Sequence, residues 1–245
     1  MRSYLSLVPI SAKVRRRQNR MTLLCIIISV FLVTAIFSVA EMFIRTENAT
    51  MQKKHGSWHI QLENISKDMA EEISLRSDVT DIGWSDAFNS DAEQPYYIND
   101  KKAALYGSDE TYIVRLANGL EEGDFPQNDN EVMLSENAKL ALNVRIGDNV
   151  TLHTPSGDEE FTVSGFGSDD RKYYQGQTYM VAVYMTRTAF TGLMDKNGVP
   201  GDPICYIQFQ DASKASKAIS EISQQYDLPE GSISENTAIM GVSGQ

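Results

Sequence analysis

Cysteine is nearly absent from this chain, which has two, Cys25 and Cys205. Cys25 lies within a long apolar run and Cys205 far beyond it, so the two cannot pair within one chain and the core must hold without a disulfide. Histidine is almost as scarce, with His55, His59 and His153. The spacing of His55 and His59 would suit a helix, but Gly56 and the Trp58, Ile60 alternation put them on extended chain, where they point differently, and no metal site is expected. Signatures of catalysis are missing too. There is no Walker motif, no Gly-x-Ser-x-Gly elbow and no paired-cysteine knuckle. Gly165-Phe166-Gly167 lacks the helix start and third glycine of a dinucleotide loop. The acidic clusters Asn128-Asp129-Asn130-Glu131 and Asp158-Glu159-Glu160 lack the spaced ligands and central glycine of a calcium loop, and read as solvated turns. The expectation is a protein that is not an enzyme and binds no cofactor.

Acids are absent from the first forty residues, which carry Arg2, Lys13, Arg15, Arg16, Arg17 and Arg20. Removing those six of the 22 Lys and Arg leaves 16 against 33 Asp and Glu, a net charge of −17 beyond residue 40. So acidic a body is repelled by phosphate backbones and anionic headgroups, which argues against nucleic acid as a partner. What the N-terminal part does have is an uncharged apolar run from Met21 to Ala40. At 1.5 Å per residue it makes a helix of roughly 30 Å, the thickness of a bilayer's hydrocarbon core. The cations ahead of it, led by Lys13, Arg15, Arg16, Arg17 and Arg20, predict a cytoplasmic N-terminus and residues 44–245 outside the membrane. A cleaved signal peptide ending at Ser38-Val39-Ala40 is the competing reading. The apolar stretch exceeds the usual length of a signal h-region, and about twenty residues precede it.

Four segments follow from this pattern: a basic elbow over residues 1–20, broken by Pro9, a spanning helix over 21–43, and an outer domain in two parts. The first part begins after a polar stretch from Arg45 to Gly56. Trp58, Ile60 and Leu62 alternate as a strand, Ser66 stands as N-cap of a helix with Asp68 in its first turn, and Thr80, Ile82 and Trp84 alternate again. A matching unit runs from the β-rich Ile204 to Phe209, through a helix capped by Asp211 that carries Ala215, Ala218, Ile219 and Ile222, to Pro229-Glu230-Gly231 and an extended segment. Two β-α-β units over 44–100 and 201–245 predict an α+β fold, a split, ferredoxin-like sheet. The intervening 101–200 is too long for a loop and reads as a mainly β insert. There Glu131 to Leu134 is a strand, Ser135 an N-cap before Ala138, Leu140, Ala141 and Leu142, and Pro155-Ser156-Gly157-Asp158 a hairpin turn. Tyr179 to Met185 is another strand, with Thr186 or Thr188 capping a turn that holds Phe190 and Leu193. Met180, Met185 and Met194 read as core filler. Arg171, Tyr173, Tyr174 and Tyr179 read as local packing in preference to a contact surface.

Leu116-x-x-Gly119, Asn130-Glu131-Val132-Met133-Leu134-Ser135, Ala138, Leu142, Gly147-Asp148-Asn149-Val150 and Phe161-Thr162-Val163-Ser164-Gly165-Phe166 follow one another in an order that resembles the extracytoplasmic domain of MacB/FtsX-type ABC transporter permeases. The basic elbow and first membrane helix share the resemblance, which spans nearly the whole chain. Physically, Gly119, Gly147 and Gly165 are read as turns that need permissive backbone, and Glu131 to Ser135, followed by Asp148 in the next turn, as strand, cap and turn. The resemblance implies a permease with an outer domain made of a β-α-β "porter" part and an inserted "sabre" part. A separate cytosolic ATP-binding subunit would move that domain to drive export or extraction of peptides, lipids or lipoproteins, or signalling. Membrane lipid and a second permease copy are the other implied partners. The chain is then read as the N-terminal part of a longer permease, with Asn236 to Gln245 approaching a next membrane helix. The alternatives are a single-pass anchored ligand-binding or sensor ectodomain and, third, a secreted hydrolase.

Overall fold

A computed structural model describes residues 16–88, 96–168, 174–175, 178–199, 202–229 and 231–240. Two compact units divide the chain at Ala49 and Thr50. The first is carried by helix α1 (Arg16–His55), which is long and apolar enough to cross a membrane and buries none of its side chains. Arg16, Arg17 and Arg20 lie in its first turns, whereas Lys13, Arg15 and most of the elbow fall outside the described residues. The hydroxyls of Thr22, Ser29 and Thr34 donate to carbonyls four residues back, which satisfies them without water. The polar stretch from Arg45 was expected to leave the helix, yet the helix continues through it. Neither Pro nor Gly occurs between Arg16 and His55, Arg45 donates to Glu41 one turn back at 2.5 Å, and Lys53, Lys54 and His55 suit the negative end of the dipole. Gly56, at φ +76°, ends it.

In the second unit, residues 50–245, strand β1 (Ile60–Glu63) is followed by α2 (Lys67–Ser74) and β2 (Val79–Phe88). The Ser66 side chain accepts from the Met69 amide at 3.1 Å, so the expected cap is in place. Towards the end of the chain come β11 (Asp202–Phe209), α5 (Ala215–Tyr226) and β12 (Ile233–Glu235). These strands lie in the order β12-β1-β11-β2, every neighbour antiparallel. One core joins Ile60 and Leu62, Ile207 and Phe209, Ala70 and Ile73 of α2, and Ala215, Ala218 and Ile222 of α5. Asp211 caps the single 3-10 turn Ala212–Lys214, with its Oδ1 accepting from the Ser213 amide, and the α-helix proper starts one turn later than expected.

Between β2 and β11 the chain builds β3 (Tyr97–Ile98), β4 (Lys101–Ser108), a π-helical turn (Thr111–Leu116), β5 (Leu120–Gly123), β6 (Glu131–Ser135), α3 (Ala138–Ala141), β7 (Asn149–Thr154), β8 (Gly157–Gly167), β9 (Tyr174–Gln175), β10 (Thr178–Thr186) and α4 (Arg187–Asn197). Pairings β4-β3-β7-β8-β6-β10 return to β4, a closed ring of six strands. Alternate inward residues fill it: Leu105, Val132, Leu134, Val150, Leu152, Phe161, Val163, Val181 and Val183 share one core with Phe190, Leu193 and Met194 of α4. Met180, Met185 and Met194 are buried, as core filler should be. Four residue pairs, Ser85 to Phe88 against Ser108 to Leu105, join the ring to the four-strand part.

Several local expectations need correction. Ser135 caps nothing: its hydroxyl donates to Asn137 Oδ1 and accepts from the Ala182 amide, tying β6 to β10 from a fully buried position. Helix α3 starts after Asn137 with no side-chain cap. Thr186, not Thr188, caps α4. The β7–β8 hairpin turns on Pro155 and Ser156 alone, since Thr154 pairs with Gly157. Of the three family glycines only Gly147, at φ +91°, sits in a conformation that favours glycine. Gly165 is inside β8, where a Cβ would lie 2.6 Å from the Asp124 carbonyl, so close approach and not a turn demands it. Gly119 has neither constraint, and the positive φ falls on Asn118. Arg171 and Tyr173 lie outside the described residues, as do the side chains of Tyr174 and Tyr179.

Candidate functional site: the clasp at the two ends of the outer domain

Gly56 turns the chain sharply, and a Cβ there would lie 2.6 Å from the Leu116 carbonyl. Ser57 follows, donating its amide to Leu116 O at 2.6 Å and its hydroxyl to Arg115 O at 2.7 Å. The entry to the domain is thereby bolted to the π-helical turn. From the far end of the sequence, buried Asn236 reaches the same place. Its Nδ2 donates to His55 O at 2.9 Å and to Trp58 O at 3.0 Å, and its amide donates to His59 O at 2.8 Å. One asparagine thus holds three carbonyls of segment 55–59.

His59 completes the clasp. Its amide donates to Ile207 O at 2.8 Å, and its Nδ1 accepts from the Phe209 amide at 2.9 Å. Accepting at Nδ1 places the ring proton on Nε2. Burial pushes this imidazole below the usual histidine range, partly offset by the field of Asp211. The last turn of α1 has its own ties, Lys53 to Glu121 at 3.0 Å and the Asn118 side chain to Gln52 O at 3.4 Å.

The π-helical turn connects the clasp to the rest of the domain. Its Ala117 amide donates to Tyr112 O, five residues back, at 2.7 Å. Gly83 lets it lie against β2, since a Cβ there would be 2.7 Å from the Tyr112 amide. Asp109 pins its start, accepting from the Tyr112 amide at 2.7 Å and the Trp84 amide at 2.8 Å. Burial raises the Asp109 carboxyl above the usual range, and the two amides oppose the shift. Trp58 meets Tyr206 edge to face at 5.2 Å between centroids, and Tyr206 meets Tyr112 in a tilted contact at 4.3 Å. At the junction with the ring, Arg187 of α4 lies over the Trp84 ring at 4.7 Å and bonds Asp86 at 3.3 Å. Burial raises the Asp86 carboxyl and Arg187 opposes it.

Residues 21–225 match the family model of the MacB-like periplasmic core domain. The chain belongs to that family. The periplasmic region of MacB from Actinobacillus actinomycetemcomitans has the same fold, with a TM-score of 0.51 at 16% identity over 78% of this chain and 94% of that one. Two others are similar at 12% identity, each over 71% of this chain. One is the extracellular domain of the noncanonic ABC-type transporter YknZ from Gram-positive bacteria, TM-score 0.46 over 98% of that chain, and the other a domain of a putative permease from Porphyromonas gingivalis, TM-score 0.45 over 77% of that chain. No curated protein matches.

For a MacB-like core domain, the structure leaves the family-motif residues at architectural posts. The Glu131 carboxylate accepts from the Gln127 and Asn128 amides and from Asn128 Nδ2, which closes the loop before β6 and holds its carboxyl below the usual range. Asp148 accepts from the Arg145 amide at 2.8 Å. None of Gly119, Glu131, Ser135, Gly147, Asp148 and Gly165 contributes a side chain to the clasp; Gly119 touches only its margin, donating its amide to Ile113 O. The clasp residues Gly56, Ser57, His59, Asp109 and Asn236 had no motif to mark them. The one readable sign was Asp109 three residues before Tyr112, the spacing of a helix cap. Among the described residues no group of three His, Cys, Asp or Glu could hold a metal.

Proposed function

We propose that this chain is the N-terminal part of an ABC transporter permease subunit whose outer domain transmits ATP-driven motion for export or extraction of peptide, lipid or lipoprotein substrates. In this reading the N-terminus is cytoplasmic and oriented by Lys13, Arg15, Arg16, Arg17 and Arg20. Residues 21–43 span the membrane, 44–100 and 201–245 form the porter-like part, and 101–200 the sabre-like insert. A cytosolic ATP-binding subunit supplies the work, and membrane lipid and a second permease copy are the other partners. The observation that carries this is Asn236 binding three carbonyls between the last residue of α1 and the first of β1. A domain that relays force needs its first and last segments joined to each other and to a stiff body, and the clasp supplies both joints.

The test uses the permease in membranes with its ATP-binding subunit. Exposed Leu140 is replaced by spin-labelled cysteine in a Cys25→Ser background, and its distance to the same label on the second permease copy is measured with and without ATP. An ATP-dependent change that shrinks in Asn236→Ala is the expected result. Identical distances in both states overturn the proposal. The anchored sensor reading calls for a concave ligand pocket of about 300 to 1,000 Å³. Among the described residues, one cleft, lined by Ser77, Asp78, Phe209, Gln210, Asp211 and Lys214, holds about 220 Å³.

A further inference from the structure

His59 is the clasp histidine whose ring takes part in the bonding, and its ordinary chemistry puts a change of charge within mildly acidic pH; His55 enters through its backbone carbonyl, and Asp109, raised by burial, is held on the Trp84 and Tyr112 amides. The surroundings of His59 make that change costly. The residue is 6% exposed, and its Nδ1 faces the Phe209 amide at 2.9 Å with nothing but an acceptor's role open to it. A proton placed on Nδ1 sets two donors against each other, so the bond is lost and a buried amide is left unpaired.

We propose that His59 is a proton-operated latch: protonation of its Nδ1 detaches β1 from Phe209 of β11 and loosens the Asn236 tie, so that the joint between the domain's two ends weakens as the external medium acidifies. The same residue carries both connections, since its own carbonyl accepts from the Asn236 amide while its ring accepts from Phe209. Tilting the ring away from β11 therefore displaces the backbone that Asn236 holds.

The groups facing the latch are few. From β11, Pro203 to Phe209 brings no charge, and α6 (Thr237–Met240) brings none either. Asp211, just past β11, reaches the imidazole with its field, but it is engaged by the Ser213 amide and hydroxyl and by Lys214 at 3.8 Å. Glu235 of β12 is exposed beside Ile60, and Arg115 of the π-helical turn is taken by Asp81 at 2.8 Å. Among the described residues no carboxylate is bonded to the ring to hold the cation in place, so the proton drives the ring out. This device is independent of whether the domain serves transport.

Amide hydrogen exchange on the full chain in detergent micelles tests it. Between pH 7.5 and 5, after correction for intrinsic exchange, protection at Phe209 and Asn236 should fall by up to about tenfold per pH unit as the pH drops below the ordinary histidine value, and level off only once it passes the lower folded value of His59. The ring amide of Val163, bonded to Asp148 O, serves as the internal reference and should not follow. In His59→Asn, whose Oδ1 can replace Nδ1 as an acceptor without titrating, the fall should vanish, whereas His55→Asn and His153→Asn should keep it. Parallel behaviour of Phe209 and Val163 in the unsubstituted chain overturns the proposal without recourse to any variant, and so does persistence of the fall in a folded His59→Asn.

Discussion

Asn236 shows how much one side chain can carry. Replacing it with Ala removes two side-chain hydrogen bonds and strands the His55 and Trp58 carbonyls in a half-dry site, a loss of about 1 to 3 kcal/mol. Urea unfolding of the full chain in micelles should register this as a lower midpoint, and Asn236→Asp should fare worse because it faces two carbonyls with acceptors. Nothing in the sequence marks this residue, because its partners lie 178 and 181 positions away and a hydrogen bond between remote segments leaves no periodicity. Ser66 and Thr186 were legible for the opposite reason: each cap bonds an amide three residues on. Ser135 has the same residue type ahead of a helix but faces β10, so packing and not local spacing decides its partner. Glu131 gives a pH signature at this scale. Its folded carboxyl sits below the usual value, so its contribution is complete above about pH 4.5 and disappears as pH falls through the folded value. Glu131→Gln should flatten the acid limb of the stability curve between pH 5 and 3, measured by denaturant midpoints.

At the scale of elements, α1 follows from composition more directly than anything else in the chain. None of its side chains is buried, so no core packing competes with hydropathy in deciding what its apolar run is. In the proposed topology its orientation rests on the basic cluster. Neutralising Arg15, Arg16, Arg17 and Arg20 should weaken the preference for a cytoplasmic N-terminus, and a topology reporter fused after residue 245 should then divide between the two sides. An unchanged reporter would contradict the role given to these residues. The π-helical turn is the contrary case. Its i to i−5 bond at Ala117 depends on Gly83 clearing room, on Asp109 capping from below and on Ser57 arriving from another segment, and none of these is visible in the run Thr111 to Leu116.

For the whole molecule, the narrow seam between β2 and β4 is where the two parts of the outer domain meet, and the Asp86–Arg187 pair stands at it. Arg187→Met would leave a buried carboxylate without its cation, at a cost of roughly 1 to 3 kcal/mol given that Arg187 is partly exposed. Asp86 already has a raised pKa in the fold, so protonation favours the folded state and the deficit should shrink as pH falls from 7 to 4. Thermal unfolding of the two chains at those pH values would check it, and an undiminished deficit at pH 4 would assign the loss to packing against Trp84. The sequence by itself determined the elements that depend on near neighbours: an apolar rod with a basic entry, two β-α-β units with their caps, and alternating strands between them. Tertiary structure alone decided the closure of six strands into a ring and the clasp of segment 55–59 by Asn236. These rest on pairings between remote segments, Met180 with Lys102 in the ring and Asn236 with His55 in the clasp, where the energy is set by which surfaces meet and the local pattern is compatible with many partners.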